Sequence, residues 1–132
     1  MLSPECVREL QTVWLPNITD DGLDRLIELL DKGSPLLIHG CFTRAVPMGC
    51  LATHAGWHHP RTAHLTLDAG ITWLHKVAGL NPATSHVIRE WDRHSADDWA
   101  VRADILQLLA EARRSRRQAG EGANCLADLV RV

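Results

Sequence analysis

Histidine and cysteine are concentrated in the middle of the chain. All eight histidines lie between residues 39 and 94, and two of the four cysteines fall in the same region. If residues 48–59 form a helix, Cys50, His54 and His58 recur every four residues and project from one stripe. Thiolate and imidazole are the ligands that zinc prefers. The spacing therefore predicts a zinc site with four main ligands and one in reserve: Cys41, Cys50, His54, His58 and, in reserve, His39.

The same residues also allow interpretations that involve no metal. Cysteine is often a small buried apolar residue, and histidines at helical spacing often form a polar face. Cys50 and His54 also suit a thiolate–imidazole pair for nucleophilic catalysis. The sequence, however, contains no glycine-rich phosphate loop, no G-x-S-x-G and no HExxH. We therefore favour a structural or regulatory metal site over an enzyme.

Residues 71–93 form a second motif. Within them, residues 77–84 read Val-Ala-Gly-Leu-Asn-Pro-Ala-Thr. This segment resembles the turn of bacterial helix-turn-helix repressors, in which a glycine ends one helix and a polar cap opens the recognition helix. His75 and Ser85 depart from the pattern, which has a small and an apolar residue there. The resemblance implies DNA as a partner, read by Thr84, Ser85, His86, Arg89 and Arg93.

A basic run at residues 113–117 admits two interpretations. Four of its five residues are arginines. In a DNA-binding protein the run would add contacts to phosphates. Alternatively, it is the solvated end of a helix, where positive charge suits the negative end of the helix dipole.

Capping residues, prolines and glycines divide the chain into helices. Ser3-Pro4 opens the first helix, Thr19 or Asp20 caps the second, and Gly33 ends it. Residues 35–39 are a possible short extended segment. Pro47 suits the first turn of a third helix. Three further helices are expected. The first has one apolar face, formed by Leu67, Ile71, Leu74 and Ala78. The second begins at Asn81-Pro82, and the third is capped by Ser95 and ends at Gly120 and Gly122.

Composition favours one globular domain. The chain has 132 residues, 45% hydrophobic and 23% charged, with a net charge of −2. That charge does not by itself require a nucleic-acid partner. No apolar run approaches the length of a membrane span, and the first residues lack a signal peptide's pattern, so we expect a cytoplasmic protein with reduced thiols.

The predicted fold class is all-α. Residues 1–132 are expected to form a single compact domain of five or six short helices, an orthogonal bundle, with residues 120–132 as a C-terminal tail. Besides zinc binding and DNA binding, a third function remains open. It is an interaction module without a small-molecule site, in which exposed tryptophans among the five would favour a homo-oligomer.

Overall fold

The computed structural model describes residues 2–95 and 97–130, with side chains through residue 120. The described residues form six helices and one small β-hairpin. This confirms the predicted helical fold class and its short extended segment. The first two helices begin at their predicted caps, and the second ends at its predicted stop. Ser3 caps the first by accepting a hydrogen bond from Cys6 N at 3.1 Å, Thr19 caps the second through Gly22 N, and Gly33 adopts a φ of 59° after it.

The first half of the chain contains two helices and the hairpin. Helix α1 has an α-helical part, Pro4–Glu9, a π-helical turn, Leu10–Trp14, and a last turn, Leu15–Asn17. Helix α2 spans Asp20–Asp31. Strands β1, Thr43–Ala45, and β2, Met48–Gly49, pair antiparallel, and Leu37 forms an isolated parallel bridge with Gly49.

The second half contains four helices. Helix α3 spans Leu51–Trp57. A 3₁₀ segment, Ala63–Asp68, leads into α4, which consists of Ala69–Thr72 and a π-helical turn, Trp73–Val77. Helix α5 spans His86–Asp92 and α6 spans Trp99–Val130. Helix α2 packs on α3 and α6, α3 packs on α4, and α1 packs on α5.

The hairpin replaces part of a predicted helix. Pro47 was expected in the first turn of a helix over residues 48–59, but it lies in the hairpin turn, and α3 begins only at Leu51. Cys50 is the N-cap residue, and its N–H donates to Phe42 O at 2.8 Å. This hairpin was therefore not predicted from the sequence. The strands are too short for an alternating pattern to reveal them.

Only part of the apolar face predicted for α4 is buried. Leu67 and Ile71 are 57% and 41% exposed, whereas Leu74 is fully buried as predicted, and so is Trp73. The physical reason is that the helical geometry changes from 3₁₀ up to Asp68 to α over Ala69–Thr72 and to π over Trp73–Val77. One helical period does not hold along such a segment.

Three other helix boundaries also differ from prediction. The N-cap residue of α5 is Ser85, which accepts from Ile88 N, and not Asn81. Helix α6 begins at Trp99 and not after Ser95, and Asp98 Oδ1 accepts from Val101 N at 3.3 Å. The helix also continues through Gly120 and Gly122 to Val130. Of the predicted tail, residues 120–132, the side chains from residue 121 onward lie outside the described part of the chain.

A buried carboxylate joins α1 to α5. Glu9 is 8% exposed, and its oxygens accept from Ser85 Oγ at 2.6 Å, His86 N at 2.9 Å and Val87 N at 3.0 Å. A fourth donor, Trp14 Nε1, lies 2.9 Å away on the same helix. The carboxylate thus satisfies two amides at the start of α5 and suits the positive end of its dipole.

Replacement of Glu9 by alanine should destabilise the fold strongly. We expect a loss of at least about 3 kcal/mol in the free energy of unfolding, since each buried donor left without an acceptor costs about 1–3 kcal/mol. Urea denaturation measures the loss. Glu5→Ala, an exposed glutamate on the same helix, is the matched control and should change stability by less than about 1 kcal/mol. Equal effects of the two substitutions would contradict a special role for Glu9.

Helices α3 and α4 approach each other through glycines. A Cβ atom added at Gly70 would lie 2.2 Å from Thr53 Oγ1 and 2.7 Å from Thr53 Cα. One added at Gly56 would lie 2.3 Å from Ala69 O. Both contacts involve backbone atoms that cannot turn away, so this crossing requires glycine at both positions.

Gly70→Ala should therefore force α3 and α4 apart. Overpacking of this kind costs about 1–3 kcal/mol, which thermal unfolding would detect as a lower Tm. The control is Gly120→Ala, because a Cβ there meets nothing within 4 Å and alanine favours the helix. A Gly70→Ala protein as stable as the Gly120→Ala protein would refute the close crossing.

Candidate functional site

Three buried side chains hold the irregular segment that precedes the hairpin. The carbonyl oxygens of residues 36–38 accept, in that order, from His54 Nε2 at 2.8 Å, Arg102 Nη2 at 2.9 Å and Trp91 Nε1 at 2.7 Å. The donors come from α3, α6 and α5. Buried backbone oxygens need such partners where no regular ladder provides them. The segment is therefore fixed by these side chains together with the bridge between Leu37 and Gly49.

Arg102 is a buried cation without a carboxylate partner. Its side chain is 2% exposed, and no ion pair joins it to a carboxylate among the described residues. Its guanidinium carbon lies 5.3 Å from the centre of the Trp91 ring, and its Nε–H has no hydrogen-bond partner. Burial lowers the pKa of the guanidinium, which stays charged at neutral pH. A buried charge of this kind is costly unless something offsets it.

His39 links the loop to both of these residues. Its ring stacks on Trp91 at 3.7 Å between centres, Nδ1–H donates to Trp91 O at 2.7 Å, and Nε2 accepts from Arg102 Nη2 at 3.2 Å. The two contacts require the neutral tautomer with its proton on Nδ1. Burial lowers the pKa of His39, so this neutral form is favoured.

A cleft of about 480 Å³ opens in front of His39. The residues before the hairpin and strand β2 give it apolar walls, and the end of α5 gives it polar ones. Across it, Gly40 N donates to Asp92 Oδ1 at 2.9 Å, and His94 pairs with Asp98. The lining residues are Pro35, Leu37, Ile38, His39, Gly40, Arg44, Met48, Asp92, His94 and Ser95.

Two larger depressions are less suited to hold a ligand. One of about 760 Å³ lies between the start of α1 and α5, where Arg93 is already paired with the buried Glu90. The other, of about 610 Å³, lies beside the turn after α4. The buried carboxylates behind the first depression, Glu9 and Glu90, have their oxygens taken up by hydrogen-bond donors. Behind the cleft at His39, by contrast, the buried Arg102 keeps an N–H without an acceptor among the described residues.

Cys50 and His54 of the predicted zinc site are engaged in the fold. Burial raises the pKa of the Cys50 thiol to about 11, which leaves it protonated at neutral pH, and its Sγ lies 3.7 Å from Thr53 Oγ1. A metal ligand must be the thiolate. His54 is 2% exposed, donates from Nε2 to the loop and lies edge-on to Trp57.

The other predicted ligands lie apart from this pair. Cys41 is half-buried, His58 is exposed just beyond the end of α3, and His39 faces the cleft. Among the described residues, no group of three or more His, Cys, Asp or Glu side chains is arranged to hold a metal ion. Cys6, Cys41 and Cys50 are free thiols, and the Cys125 side chain lies outside the described region. The zinc site stays a prediction from the sequence.

The residues predicted to read DNA lie along α5 and at both of its ends. Thr84, His86, Arg89 and Arg93 are exposed, whereas Ser85 is 1% exposed and donates to Glu9. Arg93 pairs with Glu90, and Glu5 and Asp92 line the same depression, so the surface carries mixed charge. DNA binding stays a prediction.

Half of the basic run serves the fold. Arg113 Nε donates to Asp24 at 2.7 Å, and Arg116 donates to Asp20 at 2.9 Å and to Leu15 O at 2.5 Å. These contacts fasten α6 to α1 and α2. The run is not the end of a helix, as one interpretation expected, because α6 continues to Val130. The engagement of Arg113 and Arg116 also leaves less positive charge for the phosphate contacts that the other interpretation expected.

Exposed apolar side chains are few and scattered. In the part of the chain with described side chains they are Val46, Leu67, Ile71 and Trp99, the last 69% exposed. Leu67 and Ile71 are neighbours, and the other two lie on separate elements. Scattered exposed apolar residues are normal on a protein surface. A homo-oligomer and an interaction module therefore stay predictions.

Comparison with known proteins identifies no relative. No family model matches the chain, and neither curated proteins nor solved structures provide a significant match. None of the helices in residues 2–95 and 97–130 has an apolar stretch of the length that a bilayer requires. The functional argument therefore rests on the site itself.

Sequence reasoning found His39 but missed Arg102 and Trp91. One signal was present. Arg102 precedes Ile105 and Leu109 at helical spacing, which places a charge on the buried face of α6. A charged residue at a core position is uncommon unless it is paired or functional.

The buried histidines should make the fold sensitive to acid. Burial lowers the pKa of His54 in the folded state, whereas the unfolded chain keeps a value of about 6.5. As the pH falls below 6.5, the unfolded state therefore binds a proton first, and stability declines until the folded-state pKa is passed. The slope contributed by one histidine is at most about 1.4 kcal/mol per pH unit.

Urea denaturation at several values between pH 5 and pH 8 measures this slope. His54→Gln retains an amide donor for the loop and should flatten the dependence, at some cost in stability at pH 8. The exposed His64→Gln should leave it unchanged. A dependence as steep in His54→Gln as in the unsubstituted protein would show that His54 does not cause it.

Proposed function

We propose that this protein binds a small organic molecule in the cleft beside His39. The observation that carries the proposal is the combination of an open cleft and a buried, unpaired guanidinium directly behind its wall. Arg102 donates to Leu37 and His39, and both residues line the cleft. Groups held at an energetic cost to stability are concentrated at functional sites.

The size and lining of the cleft suit such a ligand. Its volume of about 480 Å³ lies within the range of about 300–1,000 Å³ that is common for small-molecule sites. Apolar side chains, Leu37, Ile38 and Met48 among them, provide contact area. A few convergent polar groups, such as Arg44 and Ser95, provide orientation.

The walls of the cleft are held in place by contacts with buried residues, which favours ligand binding. Trp91 is completely buried, and it fixes both the loop carbonyl of Ile38 and the ring of His39. Gly40 is tied to Asp92 across the cleft. A site with its walls already in place loses little freedom when a ligand enters, which strengthens binding.

A fragment screen by NMR tests the proposal. We expect fragments that bind to shift the amide resonances of Gly40 and Ser95 at the cleft. Met48→Trp, which fills the cleft from β2, should abolish these shifts and leave the rest of the spectrum intact. Val46→Trp, at an exposed position of the same hairpin, is the control and should retain them.

Two results would count against the proposal. One is that the fragments shift only resonances around the two larger depressions. The other is that Met48→Trp, folded as judged by its spectrum, binds the same fragments as Val46→Trp does. A bound zinc ion that is lost in Cys50→Ser would favour the metal-binding hypothesis instead.

A further inference from the structure

We infer that the ligand of this cleft is an organic anion, that is, a small molecule with a carboxylate or phosphate group. The inference rests on the proposed function and narrows it to a chemical class. It depends on the balance of charges at the cleft, on the burial of Arg102 and on the apolar part of the lining. Each is an independent property of the described residues.

Cations without partners outnumber carboxylates without partners at the cleft. Arg44 is exposed and forms no ion pair with a described residue, and Arg102 behind the wall forms none either. Among the described residues Asp92, the carboxylate that lines the cleft, also forms no ion pair, but its Oδ1 accepts from Gly40 N. Asp98, outside the lining, is paired with His94. The two arginines are therefore the cationic groups that a ligand of opposite charge would meet.

The burial of Arg102 strengthens its effect on a ligand. Charges interact more strongly where protein replaces water, because the effective dielectric constant is lower. The guanidinium reaches His39 Nε2 and Leu37 O and keeps one N–H unpaired. An anion in the cleft would offset a charge whose partners in the fold are a tryptophan ring, a carbonyl and a neutral imidazole, with no carboxylate among the described residues. A neutral ligand would not.

The rest of the lining indicates an organic molecule and not an inorganic ion. Pro35, Ile38 and Met48 are part of the wall, and the cleft is much larger than one phosphate group needs. An apolar body placed against these side chains removes apolar surface from water. The ligand class that fits is a small molecule with an apolar part and one anionic group.

Benzoate and benzamide are a matched pair of probes for this class. They share shape and apolar surface, and they differ in charge. At pH 7.5 in low salt, titration followed by the Gly40 and Ser95 amide resonances gives a dissociation constant for each. We expect benzoate to bind at least about tenfold more tightly than benzamide, a preference equivalent to about 1.4 kcal/mol.

Two arginine variants show whether the preference comes from the cleft. Arg44→Gln changes an exposed side chain, so it should fold normally and reduce the preference for benzoate while leaving benzamide binding unchanged. Arg102→Met keeps length and apolar packing while removing the buried charge, and it should reduce the preference further. Arg61→Gln, an exposed arginine outside the cleft, is the control and should have no effect.

The outcomes separate this inference from the proposed function. Preference for benzoate that both cleft variants reduce supports the inference. Equal binding of the two probes, or a preference that Arg44→Gln and Arg102→Met leave intact, overturns it while small-molecule binding stands. If neither probe binds but other, uncharged fragments shift the cleft resonances, the inference likewise fails alone. If no molecule of any charge shifts them, the proposed function fails as well.

Discussion

The carboxylate of Glu9 is the contact on which the geometry of the cleft depends. It lies between α1 and α5 and accepts from the first amides of α5. Its position sets where α5 starts and therefore where Trp91 and Asp92 lie near the other end. Trp91 then holds the loop through Ile38 O, and Asp92 holds it through Gly40 N. One buried charge thus positions a wall of the cleft more than 75 residues away in sequence.

The loop before the hairpin is built in an unusual way. Its backbone pairs with β2 at one residue, Gly49, which accepts from Ile38 N and donates to Leu36 O, both at 3.0 Å. Side chains from three helices supply the remaining donors to the carbonyls of residues 36–38. A segment satisfied by side chains can follow an irregular path, which leaves room for a cleft beside it.

The sequence predicted local structure better than it predicted long-range structure. The caps Ser3 and Thr19 and the stop at Gly33 depend on neighbours within a few residues, and all three predictions were correct. Two of the four residues predicted for the apolar face of α4, Leu67 and Ile71, are exposed because the helical geometry changes from 3₁₀ to α to π along the segment. The hairpin was missed because two or three residues per strand carry too little pattern to recognise.

The candidate site was less predictable, since its contacts join distant parts of the chain. His39 attracted attention as a histidine beside cysteines, but the position of its ring is set by Trp91, 52 residues away, and by Arg102, 63 away. Cys50 and His54, whose spacing predicted a zinc site, have structural roles in the fold. His54 supplies a donor to the loop, and Cys50 opens a helix. No local pattern encodes either role.

Arg102 supplies more than the hydrogen bond that the loop requires. The carbonyl of Leu37 needs one donor, and a neutral side chain such as glutamine has one to offer. Arginine adds a buried positive charge and an N–H that no described atom accepts. Burial of a charge without an ion pair opposes folding. A purely structural role of Arg102 therefore explains the hydrogen bond to Leu37 and does not explain the charge. An anion in the neighbouring cleft would give that charge a partner, which is why we look for the ligand there rather than in the larger depressions.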